Sequence, residues 1–326
     1  MARVLITGGA GYVGSHAAKA LAGVGHDCTV FDNLRTGRRE FVKWGHFRHG
    51  DIRDRAVLAA VLAEGRFEAV MHFAALAYVG ESVGQPLDYY DVNVSGTRVL
   101  LEEMMRAGVP TLVFSSSCAV YGTPAQVPIG EATETRPVNP YGMTKLICER
   151  MMDDVEAAHG LKSVRLRYFN AAGADPDGEI GEHHEPETHL VPVALNVALG
   201  RQPHIQLFGR DYDTPDGSAV RDFVHVTDLA AAHVRALEYL LAGGASRSLN
   251  LGTGRGVSVR EVIEAARTVT GRPIATEWAP RRTGDPGLLI ADSAAARQVL
   301  KWAPTRSELT LMVGDAWRWH VSRFGR

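Results

Sequence analysis

In the stretch NPYGMTKLICER a tyrosine and a lysine, Tyr141 and Lys145, stand four residues apart. On a helix that spacing puts the phenol and the ammonium on one face. A free phenol titrates near pH 10 and is a poor base at neutral pH, but a cation beside it favours the phenolate. Such a pair suits the removal of a proton from an alcohol that is being oxidised. Upstream, FSSSCAVYG closes an apolar run with Ser115, Ser116 and Ser117. From there the Ser117 hydroxyl can bond the same alcohol oxygen. An oxidation of this kind needs a hydride acceptor, and the segment TGGAGYVGSH offers a place for one. Gly8, Gly11 and Gly14 recur every three residues between the apolar Val4, Leu5, Ile6 and a segment patterned as a helix. Glycine lets a ligand approach the main chain closely, and a helix start presents positive charge to a phosphate. The next apolar run, CTVFDN, ends in Asp32, about twenty positions on, where an acid would hold the ribose hydroxyls of a dinucleotide. A carboxylate there favours NAD over NADP. Arg35, Arg38 and Arg39 follow and would attract a 2'-phosphate, which Asp32 would repel.

The elements that must position these groups follow from the pattern of apolar runs. RVLIT, CTVFD, AVMHFAA, TLVFSSS and SVRLRYFN are separated by segments long enough for crossover helices, which predicts an α/β fold with a doubly wound parallel sheet of Rossmann type. After Asn170 the texture changes to AAGADPDGEIGEHHEPETH, rich in Gly, Pro and acids, an exit from the first domain. The expected division is 1–175 for dinucleotide binding and 176–326 for a second, smaller α/β substrate domain, with segments around 224–252 packing back on the first. In that second part the pattern predicts helices over Leu190 to Gly200, Val226 to Leu241 and Ser258 to Thr270. It also predicts a strand at SLNLG and a last helix ending near His320.

The polar stretch contains HEPETH and invites a metal reading through His184, Glu185 and His189. The spacing is one residue too long for the helical His-Glu-x-x-His pair, and Pro186 would break such a helix. A polar loop with ligand contacts is expected there, and no metal. The chain has 326 residues, 45% hydrophobic and 22% charged, with a net charge of −2, so nothing in its composition speaks for nucleic acid or an anionic membrane. The first strand begins by Arg3 and no apolar run is long enough to span a bilayer, which predicts a cytoplasmic chain. Cys28, Cys118 and Cys148 show no paired spacing, so neither a disulfide nor a zinc knuckle is expected.

Taken in order, the glycine turn, Asp32, the serine-ended strand and the Tyr/Lys pair resemble the extended short-chain dehydrogenase/reductase family. Within it, FDNL, GDIRD, HFAA, VGESV, YYDVNVSGT, RYFNAAGAD, VRDFVHVTDLA and LNLGTG extend the resemblance to the UDP-glucose 4-epimerases over nearly the whole chain. That resemblance implies NAD bound through turnover. It also implies UDP-glucose and UDP-galactose interconverted through a 4'-keto sugar, with weak activity on UDP-N-acetylhexosamines, and a homodimer joined by the helices that run from Val94 and Tyr141. It puts Gly8, Gly11, Tyr12, Val13 and Gly14 around the pyrophosphate, Asp32 and Asn33 at the ribose, and Asp51 and Ile52 beside the adenine. Phe73, Ala74, Asn93, Ser115 and Tyr168 would line the rest of the cofactor cleft. Tyr141 becomes the base, Lys145 its partner and Ser117 the donor to the sugar. Asn170 and Leu190 would hold the nucleotide, Phe208 the uracil, Arg221, Arg282 and Asp285 the diphosphate and uridine ribose, and Leu289 would border the sugar. Three positions depart from the family: Ala77 stands where some members carry Lys, His189 where many have Asn, and Leu289 where others have Tyr or Cys beside the sugar.

Two rivals remain in view. A sugar-nucleotide 4,6-dehydratase would carry Asp and Glu just after the strand-end serine, where this chain has Cys118 and Ala119. A silent dinucleotide sensor would commonly lack the Tyr or the Lys, and both are present.

Overall fold

The computed structural model describes residues 1–282 and 285–325. The apolar run after Ala2 becomes β1 (Arg3–Thr7), buried everywhere beyond its first residue. Burial on both faces is what a central parallel strand requires. It lies between β2 (Asp27–Asp32) and β4 (Ala69–His72), with Val4 opposite Cys28 on one side and Ala69 on the other. β3 (His46–His49) adds beyond β2, while β5 (Thr111–Ser117) and β6 (Lys162–Tyr168) add beyond β4, all parallel. The chain therefore leaves β1 first in one direction and then in the other. That reversal opens a crevice at the carboxyl ends of β1 and β4, the usual ligand position in such sheets.

Helices cover both faces. α1 (Tyr12–Gly23) follows β1, α2 (Arg55–Gly65) follows β3, and the short α3 (Val79–Gly84) and α4 (Pro86–Tyr89) lead through a π-helical turn, Tyr90–Ser95, into α5 (Gly96–Arg106). α6 (Pro140–His159) precedes β6. Leu58, Leu62, Leu100, Met104 and Met152 from α2, α5 and α6 pack on Leu5, Val70 and Leu112 of the sheet. The opposite face carries Leu21 of α1 with Leu229, Ala236 and Leu237 of α8 (Val226–Leu241).

The sheet has seven strands, because β11 (Arg247–Leu251) pairs with β6, Leu249 opposite Leu166. The sequence pattern had not revealed β3. Its residues HFRH are mostly exposed at a sheet edge and carry no apolar alternation to read. Beyond the sheet, β7 (Asn170–Ala172) pairs with β10 (Phe223–His225), and β8 (Ile205–Phe208) pairs with β13 (Thr276–Ala279). β9 (Val220–Arg221) lies between β12 (Val257–Ser258) and β14 (Leu288–Leu289). α7 (Leu190–Ala198), α9 (Val259–Thr270) and α11 (Leu309–Phe324) share a further core of Leu195, Ile263, Ala266, Met312 and Val313. α10 (Ala294–Leu300) packs beside α8. The last helix runs to Phe324 and does not stop near His320. His320 and Trp319 are buried, so the helix still has an apolar side to cover at that point. Among the described residues no helix is long and apolar enough to cross a membrane, and the three cysteines are free and buried.

Candidate active site

The glycine turn is shaped by what its main chain leaves exposed. Gly8 has φ +74°, and a Cβ there would stand 2.4 Å from the amide nitrogen of Ala74. A Cβ at Gly14 would lie 2.3 Å from the Gly8 carbonyl oxygen, whereas one at Gly11 would lie at 3.3 Å. Two of the three glycines are thus required by the fold, because the first turn of α1 nests against the loop before it. Gly11 caps α1 with no side chain, which leaves the amides of the first turn to a ligand rather than to the protein. At the end of β2 the buried Asp32 carboxylate accepts the amides of Ala10, at 3.0 Å, and Leu34, at 2.8 Å. Burial nonetheless raises its pKa above the ordinary carboxylate value. Asp32 therefore sits at the sheet's carboxyl edge beside the bared turn. An adenosine diphosphate with a free ribose diol fits that combination, and NAD carries one.

Other residues expected around the cofactor lie along the same edge with varied partners. Tyr12 donates its hydroxyl to the Gly173 carbonyl at 2.7 Å, and Val13, next in α1, is half-buried. Asn33 donates to Asp51 at 2.8 Å, and Arg53 clamps Asp51, which holds that carboxyl below its ordinary range. Ile52 is buried against Gly96 at the start of α5. Phe73 has its ring 4.7 Å from that of His233, and Ala74 approaches Gly8. Asn93 spends its amide inside the protein: it brackets Leu76 through both the amide and the carbonyl of that residue and donates to Thr144 at 3.0 Å. It braces the loop after β4.

β5 and α6 bring the catalytic candidates together. Ser117 ends β5 and accepts the amide of Ala119 at 3.1 Å, which leaves its own proton free to be donated. Asn139 caps α6 by accepting the Gly142 amide at 2.8 Å, and Pro140 stands in the first helical position. The cap sets the turn that carries Tyr141 and, one turn later, Lys145. The Lys145 ammonium donates to the Ser115 carbonyl at 2.8 Å and lies 5.9 Å from the Tyr141 ring centre. Ser115 in turn shares a hydrogen bond of 2.6 Å with the Tyr168 hydroxyl.

The phenolate is expected to be favoured by two charges together, Lys145 and an oxidised nicotinamide; in the protein alone burial pushes the Tyr141 phenol up, the Tyr168 hydroxyl adds to the rise, and the bond with Ser117 opposes it. The physical reason is shared burial. Lys145 is fully enclosed as well, and desolvation lowers it to about 8, so its charge is costly in the same place.

Of the residues expected at the substrate, the Asn170 main-chain amide donates to the Asp222 carbonyl at 3.0 Å as β7 begins, and Leu190 opens α7. Arg221 meets Asp285 at 2.5 Å. Arg282 places its guanidinium 3.9 Å from the Phe208 ring centre, so one face of that ring is already covered. Leu289, opposite Arg221 in the pairing of β14 with β9, packs with Cys118, Phe169 and Ala291 just beyond the catalytic strand end. Ala77 is exposed in the loop after β4.

Some supports were not read from the sequence. Glu149 of α6 accepts from Ser116 at 2.6 Å and from Arg167 at 2.9 Å, which locks the β5 end to the Tyr/Lys helix. His72 bridges Thr7, at 2.7 Å, and Thr97, at 3.0 Å, beneath the crevice. Asn139 was not read from the sequence either, although an Asn directly before Pro140 is a signal that could have found it. Glu149 and Arg167 carried none, because their meeting depends on helix and strand packing.

The model of the NAD dependent epimerase/dehydratase family matches residues 4–252. A UDP-glucose 4-epimerase of Rhizobium meliloti is 52% identical over 320 residues, covering 98% of this chain and 97% of that protein. The crystal structure of UDP-glucose 4-epimerase from Brucella ovis in complex with NAD superposes with a TM-score of 0.95 at 49% identity, covering 98% of both chains. A UDP-glucose-4-epimerase from Stenotrophomonas maltophila, with bound NAD and formylated UDP-arabinopyranose, reaches 0.96 at 43% identity and 99% of both chains. With its bared glycine turn at the β1 and β4 switch and its Tyr/Lys helix locked to β5, this chain belongs to the NAD dependent epimerase/dehydratase family, among the UDP-glucose 4-epimerases.

Proposed function

We propose that this chain interconverts UDP-glucose and UDP-galactose by oxidising the sugar at its 4'-carbon and reducing it again from the other face. The observation that carries this reading is the meeting of Ser117, Tyr141 and Lys145 at the sheet edge that also bears the glycine turn and Asp32. The turn amides and Asp32 would hold NAD, which would supply the hydride acceptor and, when oxidised, a positive charge that favours the phenolate. Tyr141 takes the proton of the 4'-hydroxyl and later returns it. Ser117 donates to the same oxygen, and Lys145, tied to the Ser115 carbonyl, would hold the nicotinamide ribose. Arg221, Arg282, Asp285, Phe208, Asn170 and Leu190 grip the UDP half, so the pyranose can turn over as the 4'-keto sugar without leaving. Net redox change is zero, so NAD is retained through turnover. A dehydratase is disfavoured by Cys118 and Ala119 in place of an acid pair.

The family resemblance supports a homodimer through α5 and α6, and the reduced, buried cysteines fit a cytoplasmic setting. The reading is tested by incubating the purified protein with UDP-galactose and no added NAD. UDP-glucose should accumulate; a protein that carries NAD and forms none would refute the activity.

A further inference from the structure

The HEPETH stretch does not form a helix, as Pro186 dictates, yet the loop it forms gathers its chemistry in another way. Glu182, His184, Glu187 and His189 each place one ligand atom within 4.8 Å of the other three. The Nδ1 of His189 is 2.8 Å from an oxygen of Glu182 and 3.2 Å from one of Glu187. The Nδ1 of His184 lies 3.4 Å and 3.5 Å from oxygens of the same two carboxylates. Among the described residues, however, neither Nδ1 makes a hydrogen bond, and both atoms are sealed from solvent. Short separation without hydrogen-bond direction is how nitrogens and oxygens sit when they face a common point instead of each other. Around a tetrahedral cation with bonds of about 2.1 Å, neighbouring ligand atoms stand about 3.4 Å apart. The two His184 separations match that value and the His189 to Glu182 separation is shorter, while the 3.2 Å contact of His189 is to the other oxygen of Glu187.

Charge points the same way. The Glu182 and Glu187 side chains are only 6% and 9% exposed, and among the described residues no Lys or Arg pairs with either. Buried carboxylates need a cation. The neighbouring acidic group, Asp175, Asp177 and Glu179, shows what this chain does where it supplies one: the Lys19 ammonium sits among them at 2.7 to 2.8 Å. At Glu182 and Glu187 that place is taken by the two imidazoles, each paired with both carboxylates, and a bound metal would displace their protons. The set of two nitrogens and two oxygens, with no thiolate, suits a borderline divalent ion such as zinc.

We propose that Glu182, His184, Glu187 and His189 bind one divalent cation of the zinc class as a closed four-ligand site. The position gives the ion a structural task. The His184 ring lies 6.4 Å from that of Tyr12 in the glycine turn and 5.7 Å from that of Tyr78, and His189 directly precedes Leu190 at the start of α7. A cation here fixes the loop between the dinucleotide turn and the first helix of the substrate side.

The test begins with intact protein stripped with a chelator, reloaded with zinc sulfate and dialysed, with metal counted by atomic emission. About one zinc per chain should remain, and less than about a tenth in the doubly substituted His184→Ala, His189→Ala protein. Circular dichroism and NAD content confirm that the variant is folded, and Glu187→Gln serves as the second variant if it is not. Loading with cobalt(II) should give the intense visible bands of a four-coordinate ion. Wild-type protein that keeps less than about a tenth of an equivalent, a folded variant that keeps as much as wild type, or bound cobalt without those bands would each overturn the site.

Discussion

Tyr141 shows how one side chain is made ready without being ionised. Burial holds its phenol neutral, so the protein alone does not produce the phenolate, and Ser117 is the one neighbour that favours it. Removing only the hydroxyl isolates its acid/base role. Tyr141→Phe should keep its NAD and lose about a hundredfold to ten-thousandfold in kcat; near-normal epimerisation by the variant would show that another group moves the proton. Leu289 makes a second case, since its side chain packs with Cys118 and Phe169 beside the serine-ended strand. Leucine gives an N-acetyl group no hydrogen bond and less room than Cys, at a cost of about 1–3 kcal/mol for an acetamide left unpaired. UDP-N-acetylglucosamine should therefore turn over slowly. Leu289→Cys should raise the ratio of N-acetylhexosamine to hexose kcat/KM and Leu289→Tyr should lower it. A ratio indifferent to both changes would remove Leu289 from the sugar pocket.

At the scale of elements, the site depends on two helix starts. The first turn of α1 fits against Gly8 only because Gly14 has no Cβ, which would stand 2.3 Å from a carbonyl oxygen. Backbone cannot yield as a flexible side chain can. Gly14→Ala should consequently be purified with little bound NAD, readable as lost cofactor absorbance after denaturation, and full retention would show that the turn tolerates rearrangement. α6 has a comparable dependence on Asn139, whose side chain accepts the Gly142 amide next to Tyr141. Asn139→Ala should cost about 1 kcal/mol of stability and lower kcat more than it changes KM, because the phenol is misplaced while the UDP grip is untouched. Unaltered kcat in a measurably destabilised variant would separate the cap from catalysis.

At the scale of the molecule, buried histidines set the response to acid. Burial pushes His72 down to about 3, with the nearby Lys145 adding to the effect, and pushes His233 down to about 4. In the unfolded chain each titrates near 6.5. Between pH 6.5 and about 4 the unfolded state thus binds protons that the folded state refuses, so stability falls as pH falls through that window, by up to about 1.4 kcal/mol per pH unit for each histidine. The urea midpoint should drop clearly from pH 7 to pH 5 at constant salt. A midpoint that holds steady would mean these rings are charged in the fold.

Local relations were legible in the residues themselves. The glycine turn, the Tyr/Lys spacing and the apolar runs of β1, β2, β4, β5 and β6 are all set within a few positions, where period and backbone freedom leave a direct trace. Helix Val226–Leu241 was readable for the same reason. What the sequence did not display depends on distant parts of the chain. β3 is a strand because β2 offers it a pairing edge. The direction of the Tyr141 shift was decided by how completely the fold encloses phenol and ammonium together, since desolvation outweighs a single neighbouring charge. Glu182, His184, Glu187 and His189 could be excluded from a helical pair by spacing, but only a loop folded against Tyr12 and Tyr78 brings their ligand atoms around one point. Sequence determines which groups are present and how near neighbours are spaced; enclosure and convergence are properties of the packed chain.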